Sequence, residues 1–115
     1  MSTTRYDLLI KGGTVVDPSQ GLHAARDVAL SDGKVAVVEE GISESVADEV
    51  FDATGLIVTP GLIDLHVHAW WGASAYSIQP DPVHVARGGT TVLDAGSSGA
   101  RTFAAGRIYR PWEGA

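Results

Sequence analysis

The sequence predicts an α/β fold with a β-rich start: a small antiparallel unit of hairpins over residues 5–59, then a parallel β-α-β crossover over residues 61–94. Two observations predict it. Through residue 59, short β-type runs alternate with Gly-centred turns, which is the grammar of hairpins. From Gly61 the order changes to strand, helix, strand, with a separation long enough for a parallel crossover. The chain is therefore expected to hold two parts, residues 1–59 and residues 60–115.

In chain order, Tyr6-Asp7-Leu8-Leu9-Ile10-Lys11 and Thr14-Val15-Val16-Asp17 are β-type runs separated by Gly12-Gly13, a pair suited to a tight hairpin turn. Asp17-Pro18-Ser19-Gln20-Gly21 punctuates the chain. Asp27-Val28-Ala29-Leu30 and Lys34-Val35-Ala36-Val37-Val38 flank Ser31-Asp32-Gly33, and Asp-Gly between β-rich runs is among the strongest local hairpin signals. After an acidic loop from Glu39 to Asp48, Val50-Phe51-Asp52 and Leu56-Ile57-Val58-Thr59 bracket the turn Ala53-Thr54-Gly55 and predict a further hairpin. Beyond the strand that starts near Leu62, Asp81 can cap a helix with Pro82 at its first position. Gly88-Gly89 ends that helix, Thr90 to Asp94 form the next strand, and Arg101 to Tyr109 begin another helix.

Composition bounds the function. The chain has 115 residues with 44% apolar types, enough for a modest core. No apolar run approaches the ~18 residues that span a bilayer. The start Met1-Ser2-Thr3-Thr4-Arg5-Tyr6-Asp7 lacks the apolar core of a signal peptide, so the cytoplasm is the default expectation. The absence of cysteine excludes disulfides and thiolate metal sites. The net charge is −6, and all of the excess lies before Gly61, where Arg5, Lys11, Arg26 and Lys34 face ten acids. An acidic surface without a basic stripe argues against nucleic acid and anionic membranes as partners; its ordinary role is solubility.

The chemistry concentrates in Pro60-Gly61-Leu62-Ile63-Asp64-Leu65-His66-Val67-His68-Ala69. On a strand, side chains alternate between faces, so Ile63, Leu65, Val67 and Ala69 share an apolar face, and Asp64, His66 and His68 share the other. Parallel strands are normally buried on both sides, and burying two imidazoles and a carboxylate without partners costs several kcal/mol. A divalent metal removes that cost, because two imidazoles two positions apart can reach one ion while a carboxylate ligates or orients them. A structural histidine pair is the alternative. His23 and His84 have no ligand-like neighbours and read as ordinary polar residues. Asp94, at the carboxyl end of the second parallel strand, is either functional or a turn cap. Trp70, Trp71 and Tyr76 either line an acyl or aryl pocket or close a core.

The order of these features resembles the amidohydrolase superfamily of metal-dependent hydrolases, in particular its deacetylase-like, dihydroorotase-related branch. The resemblance is carried by residues 6–13, by Asp32-Gly33-Lys34-Val35, by the stretch from Val58 to His68, and by Gly88-Gly89-Thr90-Thr91-Val92-Leu93-Asp94-Ala95-Gly96. It implies a small β-sandwich beside a (β/α)8 barrel, with one or two Zn²⁺ ions at the barrel mouth. His66 and His68 match the first-strand ligands of the more buried ion, and an activated water attacks a carbonyl. Asp64 matches no direct ligand and is left at most an orienting or packing role. In dihydroorotases an arginine that grips the substrate carboxylate stands where this chain has Trp70; an indole cannot make that bidentate contact, so an acyl substrate with an apolar portion is favoured over dihydroorotate. A full barrel takes ~250 residues. The chain is thus expected to be the amino-terminal part of such an enzyme, with the catalytic aspartate beyond its last residue.

The resulting expectation is the amino-terminal part of a hydrolase of non-peptide C–N or acyl bonds, acting on a small-molecule substrate, with a homo-oligomer compatible with the longer parent. Two alternatives stand beside it. One is a catalytically inactive remnant or small β-rich interaction module. The other is a cyclic-amide hydrolase of dihydroorotase or hydantoinase type.

Overall fold

The computed structural model describes residues 5–70, 75–100 and 102. The chain divides into two compact units, Met1–Pro60 and Gly61–Ala115. Among the described residues, no helix is long and apolar enough to cross a membrane.

The first unit is one five-stranded sheet of β1 (Tyr6–Asp17), β2 (Leu22–Ser31), β3 (Lys34–Glu39), β4 (Ala47–Asp52) and β5 (Ile57–Val58), in the order β3-β2-β1-β4 with β5 also on β1. β1 to β3 run antiparallel. The β2–β3 connection is the Asp-Gly hairpin read from the sequence: Ser31 pairs with Lys34, and Asp32 and Gly33 both take positive φ, 52° and 70°. That is the backbone a two-residue turn needs to match the twist of its strands. Asp17 caps the Pro18–Gln20 turn by accepting from the Ser19 amide at 3.0 Å.

Two expectations for this unit are corrected. Gly12-Gly13 is no hairpin turn, since β1 runs through it unbroken and carries one extra residue opposite β2 between the pairs Ile10–Val28 and Gly13–Arg26. It is a bulge, with Gly12 at φ 74° supplying the left-handed residue. Nor do the two strands around Ala53-Thr54-Gly55 pair with each other. Both lie parallel on the same edge of β1, β4 along Tyr6–Lys11 and β5 along Thr14–Val15, so the sheet is mixed. The physical reason joins the two corrections. Asp52 accepts from the Thr54 amide at 2.9 Å, and the turn places the Ala53 amide on the Lys11 carbonyl at 2.7 Å and the Leu56 carbonyl on the Thr14 amide at 2.9 Å. The turn thus sits against the bulge and carries the chain past it in the same direction.

Leu9 and Ala29 are fully buried and form the core with Ala47, flanked by Tyr6, Val37 and Ile42. Beside it lies the buried carboxylate of Asp27. It accepts from Lys11 Nζ at 2.8 Å, from the Gly12 amide at 2.8 Å and from the Ile42 amide at 2.9 Å, while Lys11 also donates to the Ile42 carbonyl at 2.7 Å. One side chain thereby pins the bulge to the loop after β3.

The second unit is β6 (Leu62–Val67) paired in parallel with β7 (Gly89–Asp94), joined through α1 (Pro80–Val83) and a 3-10 turn at Val85–Arg87. The order is the crossover the sequence predicts. The helix is shorter and starts earlier than predicted: Gln79, not Asp81, occupies the cap position, and the α-helical turn closes with the His84 amide on the Pro80 carbonyl at 2.7 Å. Pro80, rather than Pro82, stands at the first helical position, where a fixed φ and a missing amide hydrogen suit a helix start. Gly88 at φ 91° ends it as read. Gly61 is required by close approach, since a Cβ there would stand 2.3 Å from Thr90 Oγ1. The helix expected from Arg101 to Tyr109 lies outside the described residues apart from Thr102.

Candidate functional site

β6 and β7 end side by side, with the Ala95 amide on the Val67 carbonyl at 2.8 Å, so His68 and Asp94 stand at the same carboxyl end of the parallel pair. The two strands are not in simple register. β6 carries an extra residue between Asp64 and Val67, opposite Val92 and Asp94 on β7. Such a bulge re-aims side chains. The regular alternation read from the sequence is interrupted there: Val67 and Ala69 are buried, but Ile63 and Leu65 are exposed.

His66 and His68 are brought together. Their ring centroids are 5.7 Å apart and the ring planes meet at 79°. Two imidazoles that each hold one tetrahedral ion at about 2 Å from a ring nitrogen have centres roughly 5 Å apart, so the pair suits two corners of one coordination sphere. His66 is exposed and His68 half-buried. Among the described residues no third His, Asp or Glu joins them.

The carboxylates are otherwise engaged. Asp64 Oδ1 accepts from the His66 amide at 3.0 Å, and Oδ2 lies 3.7 Å from His84 Nδ1. His84, read as an ordinary polar residue, thus has a carboxylate neighbour, and Asp64 holds the backbone of the histidine segment. Asp94 grips both strand ends. Its Oδ2 accepts from the Ala69 and Trp70 amides at 2.9 and 3.0 Å, and its Oδ1 from the Gly96 and Ser97 amides at 3.2 and 2.8 Å. Desolvation of this carboxylate opposes ionisation, but the Ser97 amide and hydroxyl and the Trp70 and Ala69 amides outweigh it and hold the carboxyl below the usual aspartate value. Of the two roles open to Asp94 in the sequence, this is the turn cap, made across two loops.

His68 Nδ1 lies 3.1 Å from Ser97 Oγ. The sequence reading passed over Ser97, although a serine three residues after a strand-end aspartate is a recognisable turn signal. Trp70 is half-buried beside the Asp94 grip, Tyr76 is exposed, and Trp71 lies outside the described residues. His23 is exposed on β2 in the first unit.

No family model matches the chain. Among curated proteins it is 55% identical over 62 residues to a dihydroorotase of Citrifermentans bemidjiense, covering 54% of this chain and 15% of that one. It is 41% identical over 78 residues to a deacetylase of Agrobacterium fabrum, covering 68% of this chain and 19% of that one. The chain therefore spans less than a fifth of the length of these relatives. Among solved structures, a dihydroorotase superposes with a TM-score of 0.69 at 30% identity, over 93% of this chain and 28% of that one. An N-acyl-D-glutamate deacylase from Bordetella bronchiseptica, complexed with zinc and a phosphonate inhibitor, superposes with a TM-score of 0.61 at 31% identity, over 78% of this chain and 18% of that one. With its mixed sheet, its parallel strand pair and a histidine pair where the first of those strands ends, the chain belongs to the amidohydrolase superfamily.

Proposed function

We propose that this chain supplies the first metal-ligating strand of a (β/α)8 amidohydrolase that cleaves a C–N amide or acyl bond of a small molecule, deacetylase-like, with His66 and His68 as zinc ligands. The observation that carries the reading is the 5.7 Å approach of the two rings at the carboxyl end of a parallel strand, the end at which barrel enzymes gather their chemistry. Support for an acyl substrate comes from the likeness to a deacetylase and to an N-acyl-amino-acid deacylase. When bound, a divalent ion would supply a Lewis acid for the carbonyl and a water ionised near neutral pH. The chain's own residues hold the pair in place: Asp64 fixes the His66 backbone, and Asp94 ties the loop after His68 to the loop after β7. Trp70 and Trp71 border this site in sequence and would favour an apolar acyl group.

A cyclic-amide substrate is the second reading, favoured by the 55% identity to a dihydroorotase and opposed by the indole at residue 70. Zinc content and turnover of the longest product of the coding sequence, compared with His66→Ala/His68→Ala, test the proposal. The double variant is expected to lose zinc and turnover together. Unchanged zinc and turnover would remove the reading, and a panel of N-acetylated amino acids, dihydroorotate and hydantoin separates the two substrate classes. If the protein binds zinc through these histidines but hydrolyses nothing, it is the inactive remnant.

A further inference from the structure

We infer that Asp64 is a positioning residue for the histidine pair: by accepting the His66 amide it builds the bulge in β6 that brings the His66 and His68 rings together. Three observations meet at one peptide. β6 has two residues, Leu65 and His66, between the pairs Asp64–Val92 and Val67–Asp94, where β7 has only Leu93. A bulged residue falls out of step with the ladder, and its backbone needs another partner. For His66 that partner is Asp64 Oδ1, which accepts the amide at 3.0 Å from two residues back, the local turn by which an Asp side chain competes with strand pairing. Burial changes at the same place: Leu65 and His66 are exposed, whereas Val67 and Ala69 are buried and His68 is half-buried. Residues two apart on a regular strand repeat about every 6.6 Å, but the two ring centroids stand 5.7 Å apart with their planes at 79°. The second carboxylate oxygen, 3.7 Å from His84 Nδ1, is beyond hydrogen-bond distance. The part Asp64 plays is therefore that of an acceptor, and a neutral acceptor of the same shape fills it.

The inference rests on the metal reading only in naming what the paired rings serve, and the test separates the two. Nuclear Overhauser contacts between the two imidazoles, recorded on the metal-free 115-residue chain, read the pairing directly, and competition with a chelator reads zinc affinity. Asp64→Asn, whose side-chain oxygen accepts in the same turn, is expected to keep the ring contact and the wild-type zinc affinity. Asp64→Ala should lose the contact and weaken zinc binding roughly 10- to 100-fold. Asp64→Ser, whose hydroxyl makes the turn more weakly, should fall between them, and it carries the comparison where Asp64→Ala does not fold. An Asp64→Asn chain as impaired as Asp64→Ala or Asp64→Ser assigns the effect to charge and overturns the inference. So does an Asp64→Ala chain with unaltered ring contact and zinc affinity, or a wild-type chain without the ring contact. A chain that binds no zinc, yet keeps the ring contact in wild type and Asp64→Asn and loses it in Asp64→Ala, supports the positioning role and overturns the metal reading instead.

Discussion

Asp27 is the residue on which the first unit turns. Its carboxylate is buried and receives an ammonium and two backbone amides from two separate segments, β1 and the loop after β3. Burial alone would raise its pKa, but the Lys11 ammonium and the Gly12 and Ile42 amides outweigh that and hold it below 3.8. A carboxyl whose folded pKa is depressed stabilises the fold above the unfolded value and loses that contribution as pH falls through the folded one. The urea midpoint is therefore expected to hold steady from pH 7 to about 5 and to fall below about pH 4. Asp27→Asn should flatten part of that fall, the remainder belonging to Asp17, Asp52 and Asp94, whose pKa values are also lowered. Asp27→Ala leaves two amides and Lys11 without their carboxylate and should cost about 2–4 kcal/mol, less than a fully buried pair because Lys11 is partly exposed. At this scale the candidate site was legible where identity and spacing decide it, as with His66 and His68. It was not legible for Ser97, whose part depends on a contact 29 residues away in sequence.

Among the elements, the Asp32-Gly33 hairpin was readable because both residues of the turn are set by local backbone preference. Gly12-Gly13 has the same local signal and a different outcome, because a long-range fact decides it: the turn at residues 53–55 packs on it. A Cβ on Gly13 would stand 2.6 Å from Val58 Cγ2 and 3.1 Å from the Ala53 Cβ. Gly13→Ala is thus expected to destabilise the first unit by about 1–3 kcal/mol through overpacking, read as a lower urea midpoint. Gly33→Ala tests a different cost, since nothing lies within 4 Å of that position and only its φ of 70° opposes a side chain; about 1 kcal/mol is expected. A Gly13→Ala chain as stable as the wild type would show that Val58 yields to the added methyl, since Gly13 itself has no positive φ. Parallel pairing of β4 and β5 was hidden for a related reason. A strand-turn-strand pattern states that two strands exist, and only the edge offered by β1 states where they go.

Across the molecule, apolar alternation was a better guide to strand position than to burial. Ile63 and Leu65, read as sharing one apolar face with Val67 and Ala69, are 61% and 69% exposed, and Leu62 and Leu93 are 57% and 56% exposed. Alternation encodes a face meant to be covered; Val67 and Ala69 are buried, whereas Ile63 and Leu65 stay largely exposed among the described residues. Contiguous exposed apolar side chains on a two-stranded parallel pair make a surface that self-associates. The purified chain is therefore expected to bind a hydrophobic dye under native conditions and to sediment as larger species with rising concentration. Leu65→Lys should reduce both effects while changing the urea midpoint by no more than about 0.5 kcal/mol equivalent, since a side chain already in water contributes little to the fold. A chain that stays monomeric and dye-free at high concentration would mean that this face is covered in solution, and Leu65→Lys would then lower stability by the ~2 kcal/mol that a buried leucine contributes.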